Sequence, residues 1–494
     1  MERQFPSSIG YFPPSKGSSS RSMRSARLLR VARSEARRAL SSSSGLAEEN
    51  AALRMTVAAL QRERETLLSA AKSSGVQTPI VSLNEKSKFV GAQGEFSPEL
   101  KFWYPDIDST PPVLPCFRLI DDVGLPVQGS DAAMPPLEQE VALACMRTML
   151  RVNEFEKIFH DAQRQGRIPF FLTSRGEEAC AVGSIAALRP TDWVLPQYRE
   201  MGAFFWRGFS FQEVANQLCA NEKDPAHGRQ LPLHMGSKER HILYVKSTLG
   251  TQCPHAAGVA YSMKTAGSDQ VAITYFGEGC ASEGDVSSAL NIAAVHGCPT
   301  IFFCRNNGYA ISTNTRDQYV SDGVAPRGLA FGMPTIRVDG NDLLAVMAAT
   351  KRAREIATTE GRPCLIEAMT YRIGAHSTSD DDSKYRTAEA PEAGWDNERA
   401  YWEARSPIIR FGRWMQALGW WDVAAEEAVR KQARKEAIAS LNAAQETARP
   451  KAFTLFTDVY DELPWTLAAQ HDSLKAHLKS YPKAYDNLAA SADL

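Results

Sequence analysis

A glycine–carboxylate–glycine triplet and a later pair of asparagines are the residues of this 494-residue chain best suited to chemistry. Gly277, Glu278 and Gly279 are followed, after 26 intervening residues, by Asn306 and Asn307. Glycines let the backbone approach a phosphate closely, and the side chains of Glu278 and Asn307 offer the oxygen ligands that Mg²⁺ prefers. The triplet alone is typical of a structural turn, but its spacing from the asparagine pair favours a site that binds a diphosphate with a metal ion.

Both parts of this pattern lie where predicted strands end. Short apolar runs predict buried strands at residues 271–276, 300–304, 335–338 and 364–368. Helical stretches are predicted at residues 137–165 (with Gly166 as the stop), 283–296 and 342–359. Strands that alternate with helices predict a parallel α/β sheet flanked by helices, and ligands of such sheets bind at the carboxyl ends of the strands. The helix at 283–296 would also direct its N-terminal N–H groups towards a bound phosphate.

The composition is that of an ordinary globular protein, with 44% hydrophobic and 23% charged residues and a formal net charge of −1. This balance gives no reason to expect a nucleic-acid or membrane partner, and no apolar run approaches the roughly 18 residues that suggest a membrane-spanning helix. The nine cysteines show neither a CxxC pair nor zinc-like spacing. We therefore expect a soluble protein with buried, reduced thiols.

The N-terminal part differs in composition from the rest. Residues 1–45 contain nine Lys or Arg, thirteen serines and only two acidic residues, which predicts an organelle transit peptide; a disordered basic tail is the alternative. Residues 46–135 are predicted to form a short helix (46–71) and an extended arm rich in Pro, Gly and Ser. The helix has leucines at heptad spacing, but Asn50 and Arg64 interrupt the seam, which disfavours a DNA-binding leucine zipper. An α/β domain is predicted at 136–397, and a mostly helical region at 398–494.

Longer stretches around the site resemble one family. The triplet and asparagine pair resemble the thiamine-diphosphate motif GDG…NN, with Glu in place of Asp. Four stretches are similar to alpha subunits of the branched-chain 2-oxo acid dehydrogenase: residues 163–168, 228–234, 305–312 and 371–380. The resemblance covers about residues 85–485 and implies a thiamine-diphosphate-binding fold. Pyruvate dehydrogenase alpha subunits are the alternative, but they typically carry a GGSMH-like stretch where this chain has Arg229–His234.

The resemblance implies roles for individual residues. The implied cofactor-binding residues are Gln197, Tyr198, Arg199, Ser247, Leu249, Gly277, Glu278, Gly279, Arg305, Asn307, Tyr309 and His376. Magnesium would be held by Glu278, Asn307 and the backbone carbonyl of Tyr309. Guanidinium forks, a phenol and an imidazole suit phosphate oxygens, so Tyr198, Arg199, Arg305 and His376 are implied around the diphosphate.

Without the resemblance, two of these interpretations would differ. Ser247 and Leu249, implied beside the aminopyrimidine, would be unremarkable core residues. His376 would be a solvated loop residue. The resemblance instead makes His376 the candidate catalytic residue, since a near-neutral pKa suits work on charge and protons during decarboxylation and acyl transfer.

One segment departs from the family pattern. Ser247, Thr251 and Gln252 match a segment that binds potassium in the family, but Lys246 stands where an oxygen ligand is expected. We expect the ammonium group of Lys246 to replace the cation and make activity independent of potassium. The alternative is that Lys246 points to solvent and the potassium site is weakened.

The loop that carries His376 also matches a regulatory site. Ser377 corresponds to the family's phosphorylation site, and Thr387 to a less clear second one. A phosphate on Ser377 adds about −1.5 to −2 charges next to an anionic cofactor, and we expect it to disorder the loop. The alternative is that Ser377 is an ordinary loop hydroxyl.

The implied activity is decarboxylation of branched-chain 2-oxo acids with transfer of the acyl group to lipoyl groups of an acyltransferase core. The implied enzyme is an α2β2 heterotetramer of the mitochondrial matrix, served by a regulatory kinase and phosphatase. The beta subunit would supply the glutamate that activates the aminopyrimidine. A transketolase-like enzyme complete in one chain is disfavoured because no second, pyrimidine-binding half follows residue 400. A catalytically dead scaffold is disfavoured because Arg199, Glu278, Asn307 and His376 are all present.

Overall fold

The computed structural model describes residues 86–89, 94–102, 114–386 and 397–485, all of which belong to one compact unit. The predicted transit peptide, the predicted helix at 46–71 and Thr387 lie outside the described residues. No helix in these ranges combines the length and the apolar character needed to cross a membrane.

A seven-stranded parallel sheet forms the centre of this unit. Its strands are β1 (Phe96–Ser97), β2 (Cys116–Phe117), β3 (Trp193–Leu195), β4 (Ala272–Gly277), β5 (Thr300–Asn306), β8 (Thr335–Asp339) and β9 (Cys364–Met369). Their order is β1-β2-β8-β9-β5-β4-β3, and a separate antiparallel hairpin is formed by β6 (Tyr309–Ala310) and β7 (Thr313–Asn314). The predicted fold class and the four predicted strands are confirmed. Every residue of β5 is buried, as expected for a parallel strand covered on both faces.

The helices agree with the predicted alternation. They are α1 (Gln139–Arg164), α2 (Glu178–Ala186), α3 (Met201–Trp206), α4 (Phe211–Leu218), α5 (Gln252–Thr265), α6 (Gly284–His296), α7 (Thr315–Gln318), α8 (Ala325–Ala330), α9 (Leu343–Thr359), α10 (Glu398–Glu403), α11 (Pro407–Ala417), α12 (Val423–Glu446), α13 (Thr454–Thr457) and α14 (Trp465–Ser480). The predicted helices at 137–165, 283–296 and 342–359 are confirmed as α1, α6 and α9. Gly166 ends the first of them in a left-handed conformation, with φ 74°, which glycine adopts without steric cost.

Alternate residues of the strands enter two hydrophobic cores. In β5, Ile301 and Phe303 face the core formed with α1, α2 and α9. Phe302 and Cys304 face the core formed with α5, α6 and α8. All nine cysteines are unpaired and eight are buried, which confirms the prediction of buried thiols.

The predicted arm contributes to the main sheet. Cys116 of β2 pairs with Arg337 of β8, and Phe96 of β1 pairs with Cys116. Leu119 and Ile120 beyond β2 are fully buried. The structure therefore places residues of the arm in the sheet edge and in the core. Strands of two residues are too short to show a period of two, which explains why the sequence predicts only extended chain here.

Candidate cofactor site

A cleft of about 410 Å³ opens at the carboxyl ends of β4 and β5. Its lining residues are Gln197, Tyr198, Arg199, Leu249, Gly277, Glu278, Gly279, Cys280, Glu283, Arg305, Asn307, Tyr309, Ala310, Ile311, Arg372 and His376. The structure thus brings together every predicted cofactor-binding residue except Ser247. The location agrees with the expectation for a parallel sheet.

The strand register places the two predicted metal ligands side by side. Gly277 at the end of β4 pairs with Arg305 of β5, so the following residues, Glu278 and Asn307, leave the sheet at the same edge. The backbone N–H of Asn307 donates to the Glu278 carboxylate at 3.2 Å. Burial raises the pKa of Glu278 to about 7, and the nearby carboxylate of Glu177 adds to the rise.

Asn307 is held in one orientation by its neighbours. Its amide nitrogen donates to Glu177 at 2.8 Å, and its amide oxygen accepts from the backbone N–H of Tyr309 at 3.2 Å. An amide oxygen has two lone pairs, so one remains for a cation beside Glu278. Among the described residues no group of three or more His, Cys, Asp or Glu side chains forms a metal cluster, and the site offers one carboxylate, one amide and backbone carbonyls. This donor set fits a magnesium ion that takes further oxygens from a diphosphate.

Gly279 lets the hairpin that carries Tyr309 approach β4. A Cβ atom added at Gly279 would lie 2.4 Å from the Cβ atom of Ala310, which is far inside van der Waals contact. A Cβ atom at Gly277 would meet nothing closer than 3.8 Å, at the side-chain oxygen of Gln197. Protein packing therefore requires a glycine at position 279. The lack of a side chain at Gly277 instead leaves open space in the cleft.

The carboxylates that hold the arginine at the floor of the cleft were not predicted from the sequence. Arg305 forms ion pairs with Glu177 and, at 2.7 Å from Nε to Oε1, with Glu200, and it donates to Gln197 at 3.2 Å. Burial alone would raise the pKa of Glu177, but the guanidinium groups of Arg305 and Arg199 together hold it below its usual value. The only sequence signal is a pair of acidic residues at the start of α2, about 130 positions before Asn307, which by itself is typical of an ordinary helix N-terminus.

Two other guanidinium groups have no such partners. Arg199 and Arg372 are buried, yet within the part of the chain that the structure describes neither lies within 4.0 Å of a carboxylate oxygen. Arg199 donates to the backbone carbonyls of Thr173 and His376, and Arg372 donates to the carbonyl of Ile311. Burial lowers the pKa of Arg199. Buried positive charge without a direct ion pair at the edge of a cleft is suited to an anion.

His376 lies between these two guanidinium groups. Its Nδ1 is 3.1 Å from Arg199 and 3.4 Å from Arg372. A guanidinium group only donates, so Nδ1 accepts and the ring hydrogen is on Nε2. Burial and then the two positive charges lower the pKa of His376 to about 3. In the chain by itself the pKa of His376 therefore lies below the near-neutral range that suits proton transfer, and the sequence does not show that two arginines face the ring.

A network of hydrogen bonds holds the loop that carries His376. The backbone N–H of His376 donates to Asp380 at 2.7 Å, and the hydroxyl of Tyr385 donates to the same carboxylate oxygen at 2.5 Å. Tyr385 in turn accepts from Arg372 at 2.9 Å. Ser377, the predicted phosphorylation site, is half-buried and accepts from the backbone N–H of Ser379 at 3.3 Å. A group added at Ser377 would therefore disturb this contact, in the loop that also holds His376 beside the arginines.

Lys246 and the three predicted potassium-binding residues are not among the residues that line the cleft. Lys246 and Ser247 are exposed. Thr251 donates to the carbonyl of Thr248 at 2.9 Å, and the buried Gln252 donates to the carbonyl of Tyr275 at 3.0 Å. Among the described residues Lys246 makes no hydrogen bond or ion pair, so its placement does not bring the ammonium group to Thr251 or Gln252.

Comparison with known proteins agrees with the site. Residues 146–452 match the family model of the dehydrogenase E1 component. The mitochondrial 2-oxoisovalerate dehydrogenase subunit alpha of Mus musculus is 45% identical over 410 residues, which cover 83% of this chain and 90% of the mouse protein. The corresponding subunit alpha 2 of Arabidopsis thaliana is 44% identical and covers 86% of each chain. The subunit of Caenorhabditis elegans is 43% identical over 87% of this chain and 98% of its own length.

These relatives carry the name of the branched-chain enzyme, as the four similar stretches predicted, and not that of the pyruvate enzyme. The match covers most of the described residues, including the whole cleft. The chain therefore belongs to the dehydrogenase E1 component family.

Proposed function

We propose that this chain is the alpha subunit of the E1 component that decarboxylates branched-chain 2-oxo acids and transfers the acyl group to lipoyl groups of an acyltransferase core. The relatives are named 2-oxoisovalerate dehydrogenase alpha subunits, and the family depends on thiamine diphosphate. The observation that carries the proposal is the pair of buried guanidinium groups of Arg199 and Arg372, which share the cleft with Glu278 and Asn307.

The cofactor would bind through its diphosphate and magnesium. Arg199, Arg305, Tyr198 and His376 would surround the diphosphate, with Arg372 as an addition that the sequence did not predict. Glu278, the amide oxygen of Asn307 and the carbonyl of Tyr309 would hold magnesium. When bound, thiamine diphosphate supplies the carbon nucleophile and the electron sink for decarboxylation. The protein supplies charge and orientation.

His376 would be the proton-handling residue of this half-site. Its Nε2–H is free of the contacts that fix Nδ1, and it lines the cleft. A bound diphosphate places negative charge next to Arg199 and Arg372, which offsets the two charges that lower the pKa of His376. The pKa then rises towards the neutral range, where a histidine can donate or accept a proton during acyl transfer.

The partners follow from the subunit type. An E1 alpha subunit implies a beta subunit and a lipoyl-bearing acyltransferase core. We place the assembly, as an α2β2 heterotetramer, in the mitochondrial matrix, because the relatives are mitochondrial and residues 1–45 have the composition of a transit peptide. The base that activates the aminopyrimidine would come from the beta subunit, and no residue of this chain is assigned to that role.

Two further features of the proposal concern control of the site. A kinase and phosphatase would act on Ser377, where a phosphate competes with the diphosphate for the guanidinium groups beside His376. The ammonium group of Lys246 would replace potassium near Ser247, Thr251 and Gln252 once the segment is covered by the partner subunit.

The test is to titrate thiamine diphosphate and Mg²⁺ into the chain with and without co-expressed beta subunit, and to compare 2-oxoisovalerate, 2-oxoisocaproate and pyruvate on the assembled complex. We expect tight cofactor binding and decarboxylation only in the presence of the beta subunit, with branched substrates preferred. Activity of the chain alone would overturn the subunit assignment, and a preference for pyruvate would overturn the substrate assignment. Replacement of Ser377 by Glu should abolish acyl transfer to a lipoyl substrate; full activity of S377E would exclude the proposed switch.

A further inference from the structure

A buried histidine outside the cleft contacts Ser247, one of the residues implied to bind the cofactor. His234 is 7% exposed, and both of its ring nitrogens have partners. Nδ1 lies 3.0 Å from the carbonyl oxygen of Pro232, and Nε2 lies 2.8 Å from the hydroxyl oxygen of Ser247. Because a carbonyl only accepts, Nδ1 carries a hydrogen, and Nε2 and the Ser247 hydroxyl share a second hydrogen bond.

The loop before His234 is built to hold that ring in place. Leu233 has φ 70°, a left-handed conformation that is unfavourable for a bulky side chain. The buried side chain of Gln217 donates to the carbonyl of Leu231 at 2.7 Å and accepts from the N–H of Leu233 at 2.9 Å. The N–H of His234 donates to the carbonyl of Leu231 at 3.0 Å. A strained conformation that is clamped on both sides gives a rigid anchor.

The segment that the anchor holds has few other hydrogen bonds, and Leu249 at its end also packs against the core formed with α5, α6 and α8. Lys246, Ser247 and Thr248 are consecutive exposed residues, and Leu249 after them lines the cleft. The carbonyl of Thr248 accepts from Thr251, three residues further on. Among the described residues, the Ser247 hydroxyl makes the only hydrogen bond from Lys246–Leu249 to a residue more than three positions away.

We propose that His234 is a positioning residue of the cofactor site, which acts through the Ser247 hydroxyl to hold the segment Lys246–Leu249 in the conformation that receives the cofactor. The role of this segment towards the aminopyrimidine half of the cofactor rests on the proposed function. The inference gives a physical task to the stretch at 228–234, which lies outside the cleft. His234, at the rigid end of this stretch, is connected by its hydrogen bond to Ser247 with the segment whose Leu249 lines the cleft.

The test is a double-mutant cycle with H234Q, S247A and H234Q/S247A in the chain co-expressed with beta subunit, with H160Q as the control for loss of a partly exposed imidazole elsewhere. We expect each single variant to bind thiamine diphosphate with Mg²⁺ about three- to tenfold more weakly by calorimetry, as for loss of one hydrogen bond. The double variant should bind no more weakly than the worse single one, because both changes remove the same contact. S247T, which keeps the hydroxyl, should bind the cofactor with an affinity close to that of wild type, and kcat of H234Q at saturating cofactor should change little.

Hydrogen exchange of residues 246–249 without added cofactor provides a second measurement that does not depend on what the site binds. We expect faster exchange in H234Q and S247A and none of this change in H160Q. Additive losses of affinity in the cycle, or unchanged exchange in a folded H234Q protein, would overturn the inference. If the wild-type complex binds no thiamine diphosphate but the exchange result holds, the proposed function fails while the positioning contact stands.

Discussion

Glu177 and Glu178 are adjacent, buried carboxylates at the start of α2, and the structure predicts opposite behaviour for them. Glu177 pairs with Arg305 and accepts from Asn307, which keeps its pKa low in spite of burial. Glu178 accepts from the backbone N–H of Gly176 at 2.9 Å and has no ion pair among the described residues, so burial raises its pKa to about 7. At neutral pH the first is charged and the second is partly protonated.

The magnitudes follow from these contacts. Breaking a buried ion pair costs roughly 3–5 kcal/mol when the other charge is left alone, but Arg305 keeps Glu200 at 2.7 Å. We therefore expect Glu177→Gln to lower the free energy of unfolding by about 2–3 kcal/mol at pH 7. It should also weaken binding of Mg²⁺ and thiamine diphosphate, because Arg305 and Asn307 donate to different oxygens of Glu177, and the amide nitrogen that replaces one of these oxygens cannot accept. The matched change Glu178→Gln keeps an acceptor for Gly176 and should cost about 1 kcal/mol or less.

The two variants should also differ in how their free energy of unfolding depends on pH. A raised folded pKa means that stability is lost as pH rises from the unfolded value of 4.5 towards about 7. Glu178→Gln removes this loss, so its stability relative to wild type should improve with rising pH, by at most about 3 kcal/mol. A lowered pKa has the opposite sign: the stability that Glu177 contributes is lost as pH falls, so the cost of Glu177→Gln should shrink in acid.

Urea unfolding followed by tryptophan fluorescence, at fixed protein concentration and at pH 3.5, 5, 7 and 8, measures both variants against wild type, and the lowest pH samples the window below the unfolded pKa of 4.5 in which Glu177 loses its contribution. Equal losses for the two variants at pH 7, or the same direction of pH dependence, would refute the assignment of one charged and one partly protonated carboxylate. Calorimetry on the complex with beta subunit separates an effect on the cofactor from one on stability alone.

Three further predictions concern other parts of the site. Gly279→Ala should destabilise the protein by about 1–3 kcal/mol and weaken cofactor binding, because its Cβ atom would lie 2.4 Å from that of Ala310. The control is Gly284→Ala, whose Cβ atom would meet nothing within 4 Å. Equal effects of the two changes in thermal unfolding and calorimetry would contradict the prediction. The pKa of about 3 for folded His376 lies below the unfolded value of 6.5, so wild type should lose stability as pH falls from 6.5 towards 3, by up to about 1.4 kcal/mol per pH unit. If His376→Gln loses stability with falling pH as steeply as wild type in urea titrations, His376 is not the cause of the loss. Lys246→Ala should make cofactor binding depend on added potassium, and potassium-dependent binding in wild type would show instead that Lys246 does not replace the ion.

The sequence by itself determined which residues meet at the ends of β4 and β5. Strands at 271–276 and 300–304 separated by a helix predict neighbouring parallel strands, and their ends carry Glu278 and Asn307 to one edge. That inference needs only local hydrophobic patterns and the geometry of parallel sheets. Resemblance then identified Arg199, Arg305 and His376, and all three line the cleft.

Only the tertiary structure decided the electrostatics of these residues. Glu177 is about 130 positions from the asparagine it orients, and a sequence does not show which of many buried carboxylates faces an arginine. The low pKa of His376 arises because Arg199 and Arg372, from different parts of the chain, face one ring nitrogen. Charge interactions depend on distance in space and on burial, and both are set by how the elements pack. Local pattern therefore predicts the ligands of the cofactor, whereas packing determines their protonation states.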